Sequence, residues 1–93
     1  MRISAAASSQ AIKIIINYFG DDVAVWLFGS RSNDAKRGGD IDLYIETQST
    51  DFMKKIQCQS QLVDLFGLEV DLVVGNGGKP IHRIAKETGI RLK

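Results

Sequence analysis

A chain of 93 residues makes one domain, residues 1–93, whose core removes about 60–70% of the unfolded surface from water. With 44% hydrophobic and 25% charged residues the composition is that of a soluble globular protein, and a net charge of +1 gives no bulk attraction to nucleic acid or to a membrane. No apolar run approaches the ~18–20 residues of a membrane span, no secretion signal opens the chain, and one cysteine, Cys58, cannot form an internal disulfide, so a cytoplasmic location is expected.

The first element is a helix over Ser9 to Phe19, where Ile12, Ile15, Ile16 and Phe19 recur at helical spacing. Ser8 or Ser9 is placed to cap it and Gly20 to stop it. Val23 to Phe28 is wholly apolar and rich in strand formers, which predicts a central strand covered on both faces, Trp26 among its core residues. Ser30 to Gly39 is polar and rich in turn residues, hence a loop. A second strand follows over Ile41 to Ile45.

Thr50 is placed to cap a helix from Asp51 to about Leu65, with Phe52, Ile56, Val63 and Phe66 on one side and a polar, solvent-facing middle from Gln57 to Gln61. Cys58 reads as structural in that helix. Gly67 ends it, and Glu69 to Val74 alternates as a third strand. Gly75-Asn76-Gly77-Gly78 is a connector that lacks the Lys-Ser/Thr ending of a P-loop. Pro80 opens a short last helix ending near Gly89, on which His82 is expected to be exposed. Ile90 to Lys93 is a tail or an edge strand. The helix between the second and third strands makes those two parallel, and the loop between the first two makes them antiparallel. The predicted class is α+β, a small mixed β-sheet with helices packed on one face. Val23 to Phe28 wants more cover than three helices give, which leaves apolar surface for a second copy of the chain or another protein.

The chemistry concentrates in residues 27–43. An apolar strand runs into Gly29-Ser30, and Asp40-Ile41-Asp42 opens the next strand. Alternation projects Asp40 and Asp42 from one face, and two adjacent carboxylates repel unless a cation lies between them. A Gly-Ser turn at a strand end presents backbone N–H groups to an anion, and Gly29 admits phosphates without a Cβ in the way. Together these residues suit a nucleoside triphosphate and its divalent metal. Arg31, Lys36 and Arg37 stand in the same loop; Arg31, directly after Ser30, is the best placed to neutralise phosphate charge, and the other two read as solvated charges.

Phe28-Gly29-Ser30 followed by Asp40-Ile41-Asp42-Leu43 resembles the DNA polymerase β-like nucleotidyltransferases, and within them the minimal nucleotidyltransferases. The chain departs from that subgroup at Gly39, where a serine is usual. The resemblance implies the family's core fold and a third carboxylate on a later strand, for which Asp71 is the candidate, with Glu69 a same-face neighbour. It implies that Asp40, Asp42 and Asp71 hold two Mg²⁺ ions, that Gly29, Ser30 and Arg31 bind the triphosphate of ATP, and that AMP passes to a hydroxyl group. The chain carries only the catalytic core, and such proteins pair with a helical HEPN-type toxin, so the resemblance implies an antitoxin that modifies a tyrosine of that partner. Two rival readings are a contact-only antitoxin without transfer and a regulatory subunit that binds nucleotide and leaves it intact. No membrane and no nucleic acid is expected as a partner.

Overall fold

The computed structural model describes residues 4–28, 41–48 and 51–93. Helix α1 spans Ala5–Phe19, strand β1 Ala24–Phe28, strand β2 Ile41–Glu46, helix α2 Phe52–Phe66, strand β3 Val70–Gly75, helix α3 Pro80–Thr88 and strand β4 Ile90–Arg91. Helix α1 begins earlier than the apolar stripe predicts. Ser4, not Ser8 or Ser9, is its N-cap and accepts from the Ala7 N–H at 3.1 Å. Three alanines, good helix formers, extend the first turn. The helix stops as expected at Gly20, whose N–H donates to the Ile16 carbonyl at 2.8 Å.

The four strands form one sheet in the order β3-β2-β1-β4. Strands β1 and β2 are antiparallel, β2 and β3 parallel, and β4 adds antiparallel to β1. Pairing at that edge continues past β4, with the Val25 N–H donating to the Lys93 carbonyl at 3.1 Å. The mixed α+β sheet is the expected one, and the C-terminal segment is an edge strand. Alternation along the strands divides the core in two. Val25, Leu27, Ile41, Leu43, Ile45, Val70 and Leu72 face α1 and α2, where Ala11, Ile15, Cys58 and Leu62 complete the larger core. Trp26, Phe28 and Tyr44 face the other way and pack against Ala85 of α3. Placement of helices on one face therefore holds for α1 and α2, while α3 roofs the opposite face. That roof is what covers β1 on both sides.

The first half of helix α2 departs from the expected orientation, while Val63 and Phe66 pack against the core as expected. Phe52 and Ile56 are exposed, and the buried positions are Cys58 and Leu62. Its polar middle is solvent-facing at Gln57, Ser60 and Gln61, as expected, and is also anchored. The Gln59 side chain donates to the Val70 carbonyl of β3, and Gln61 donates to the Tyr18 hydroxyl of α1 at 2.6 Å. Asp51 is the N-cap, accepting from Met53 and Lys54 at 2.9 and 3.2 Å, where Thr50 was expected; Thr50 lies outside the described residues. Gly67 closes the helix in the left-handed region, φ +69°, a conformation open to glycine at no steric cost. Among the described residues no helix is long and apolar enough to cross a membrane.

Candidate active site

The parallel pairing of β2 with β3 places Asp42 and Asp71 as register partners. Both alternate onto the face that carries Tyr44 and Val73, the face roofed by α3. Neighbouring strands run about 4.8 Å apart, so these two carboxylates are side-chain neighbours across the ladder. Asp42 is half-buried and Asp71 exposed. On its other side Asp42 is the register partner of Phe28, the last residue of β1. Ile41 is pinned at the same end of the sheet, its N–H donating to the Glu69 carbonyl at 2.9 Å. Glu69, the alternative third acid, is exposed and precedes β3.

Like charges directly opposite on paired strands destabilise a sheet. Two acids set in register on one face are therefore stabilised by a cation or a donor near them. Hard carboxylate oxygens suit Mg²⁺, which takes only a few protein ligands. Among the described residues no three His, Cys, Asp or Glu side chains group to hold a metal. The described part of the predicted triad is the Asp42–Asp71 pair. Asp40, together with Gly29, Ser30, Arg31, Lys36, Arg37 and Gly39, lies outside the described residues.

The roof over this face depends on a histidine that sequence reasoning expected to be exposed. His82 is 3% exposed and stacks on the Tyr44 ring with centroids 4.8 Å apart. Tyr44 in turn stacks on Trp26 at 5.6 Å. The Gly77 and Lys79 N–H groups both donate to His82 Nδ1, at 3.1 and 3.2 Å, so that nitrogen is the unprotonated acceptor of the ring. A Cβ on Gly75 would stand 2.2 Å from His82 Cε1, which makes glycine a requirement of the stack. The signal in the sequence was Gly75-x-Gly77 followed by a histidine in the first turn of the next helix. Trp26 is core, as expected, with Lys86 and Arg91 over its ring at 5.6 and 5.0 Å.

Burial pushes the Tyr44 phenol up to about 12, with the Glu46 carboxylate adding to the rise. The nearby Gly77 N–H pulls the other way, but weakly, because it is directed to His82 Nδ1. The hydroxyl has no hydrogen-bond partner among the described residues. Burial likewise pushes the Cys58 thiol up to about 12, which fits a structural residue and not a nucleophile. A polar hollow of about 300 Å³, lined by Asp22, Ala24, Glu46, Thr47, Gln48 and Asn76, lies at the far end of β2 from Asp42 and is separate from the carboxylates.

A family model for the polymerase beta nucleotidyltransferases matches residues 10–92. The chain belongs to that family. Its solved structural neighbours include a chain of the toxin–antitoxin complex MntA–HpeT in a double Asp-to-Glu mutant form, with a TM-score of 0.76 and 19% identity over 92% of this chain and 71% of that one. Another comes from the tri-AMPylated Shewanella oneidensis HEPN toxin in complex with MNT antitoxin, with a TM-score of 0.72 and 20% identity over 95% of this chain and 70% of that one. At these identities the likeness is one of fold. No curated protein sequence gives a significant match. For a nucleotidyltransferase of this family, the face carrying Asp42 and Asp71 is the candidate active face.

Proposed function

We propose that the chain is a metal-dependent nucleotidyltransferase that moves AMP from ATP onto a tyrosine hydroxyl of a HEPN-type toxin, and so acts as its antitoxin. The observation that carries this reading is the in-register Asp42–Asp71 pair on the face opposite α1 and α2. Membership of the family supports the transferase class. The neighbours' pairing of an MNT antitoxin with an AMPylated HEPN toxin supports the partner and the group transferred.

Asp40, Asp42 and Asp71 suit Mg²⁺ by the hardness of their oxygens. Bound there, Mg²⁺ would supply charge neutralisation for an in-line displacement at phosphorus. Asp40, Asp42 and Asp71 would hold the metal. Gly29, Ser30 and Arg31 hold the remaining phosphates and offset their charge. Asp71, the outer acid of the pair, receives the proton of the acceptor hydroxyl as its oxygen bonds to the α-phosphorus. The bond from that phosphorus to the bridging oxygen of the β-phosphate breaks, and pyrophosphate leaves.

The test is incubation with radiolabelled ATP and Mg²⁺, with and without the protein encoded next to this one as the candidate partner. Label is expected on the partner with the wild-type chain and not with Asp42→Asn. A stable complex with no label would instead support an antitoxin acting by contact alone.

A further inference from the structure

Strand β3 closes one side of the sheet, and its register decides which of its backbone groups face outward. The N–H groups of Ile41 and Thr47 donate to the carbonyls of Glu69 and Gly75, at 2.9 and 2.8 Å. In a parallel ladder, alternate residues turn both backbone groups to the partner strand. Glu69, Asp71, Val73 and Gly75 therefore face β2, while Val70, Leu72 and Val74 turn their N–H and C=O groups away from the sheet. The Gln59 side chain of α2 donates to the outward carbonyl of Val70. Among the described residues nothing meets the outward groups of Leu72 and Val74. Edge strands are commonly blunted by proline, lysine, a bulge or brevity. Strand β3 has six residues, no proline, no lysine and an unbroken register with β2, whereas β4 at the opposite edge has two residues.

Gln59 also shows which flank of α2 overhangs this edge. Its side chain reaches a carbonyl that points out of the sheet, whereas Gln61, about 200° further around the helix, bonds Tyr18 of α1. Phe52 and Ile56 stand seven and three residues before Gln59, so they share its flank and face away from α1. Phe52 is 67% exposed and Ile56 43% exposed. The crossover from β2 carries α2 back along β3. Phe52 lies about 10 Å along the helix from Gln59, and Val74 about 13 Å along the strand from Val70, so the apolar flank runs beside the unpaired backbone. Glu69 and Asp71 are exposed on the other face of the same strand.

We infer that the groove between β3 and α2 takes an extended segment of a partner protein as a fifth strand, one in which apolar residues alternate with basic ones. The outward groups of Leu72 and Val74 bond its backbone. Alternate side chains of an added strand point toward α2, where Phe52 and Ile56 cover them. The others stand beside Glu69 and Asp71, where a lysine or arginine meets opposite charge. A second copy of β3 fits less well, because its own Glu69 and Asp71 would join the same face of the ribbon. Strand addition here requires no nucleotide and no transfer.

The experiment is amide hydrogen exchange, read by NMR on the whole chain, with a hexapeptide that alternates valine and lysine. In the free chain the Leu72 and Val74 amides are expected to exchange at least about tenfold faster than those of Asp71 and Val73, which face β2. The peptide is expected to slow Leu72 and Val74 about tenfold, and the same peptide N-methylated along its backbone to leave them fast. A valine–glutamate hexapeptide should bind about tenfold more weakly. Phe52→Ser/Ile56→Ser, at two exposed positions, should weaken the valine–lysine peptide about tenfold. Leu72 and Val74 amides already slow in a monomeric free chain, equal protection by the N-methylated peptide, equal binding of the two unmethylated peptides, or unchanged affinity in the α2 variant would overturn the groove. A dimer in sedimentation whose Leu72 and Val74 amides are slow without peptide would overturn the partner segment in favour of a second copy. The exchange measurement uses the wild-type chain, so it stands whether or not the variant folds.

Discussion

Tyr44 heads the fully buried side chains and lies between two other rings, Trp26 from β1 and His82 from α3. Its hydroxyl is buried without a partner among the described residues, and an unmade hydrogen bond of that kind costs about 1–3 kcal/mol. Tyr44→Phe keeps the stack and removes the orphaned group. Urea unfolding should show stability unchanged or raised by about 1 kcal/mol. A loss of more than that would mean the hydroxyl is bonded. Residue by residue, the acids were the legible part. Period-two alternation assigned Asp40 and Asp42 to one face of their strand before any fold was known, since that period belongs to the backbone itself, and the family resemblance pointed to Asp71. His82 was not legible, because its burial depends on α3 crossing to the second face, and nothing in a nine-residue polar stretch states which face a helix will cover.

At the scale of elements, the connector from β3 to α3 acts as a socket. Gly75 lets the His82 ring approach, and the N–H groups of Gly77 and Lys79 close on Nδ1. Gly75→Ala would drive a methyl group into a buried ring, so His82 must leave its stack and lose both donors. Overpacking together with lost hydrogen bonds should lower stability by about 2–3 kcal/mol, read from the urea midpoint. A change under about 0.5 kcal/mol would show that the ring can step aside. Strand boundaries and order were readable from apolar runs and turn residues. The orientation of the first half of α2 was not. Its large apolar residues, Phe52 and Ile56, suggested one face, while the fold buries the smaller Cys58 together with Leu62. The first turn of α2 leaves Phe52 and Met53 exposed, so size and hydrophobicity there do not report burial.

Over the whole molecule, two buried acids link folding to pH. The Cys58 thiol and the Tyr44 phenol are raised from 9.0 and 10.0 to about 12 each. A raised acid favours the fold while it is neutral, so this contribution is complete below pH 9 and is lost as pH rises toward 12. Thermal melts should therefore show Tm falling above pH 9, and a Tm that holds through pH 11 would contradict the burial of both groups. The molecule has one sheet with a core on one side and a roofed, acid-bearing surface on the other. Register made this surface a candidate site: alternation put each acid on a face, and only the β2–β3 pairing set Asp42 beside Asp71. The most direct test is the rate of AMP transfer by Asp42→Asn, Asp71→Asn and the double variant, each checked for folding. Two acids that act as one unit should each lose about a thousandfold on substitution, with the double variant no slower than the worse single. Single variants that keep a tenth or more of the wild-type rate, or losses that multiply in the double, would contradict a shared site.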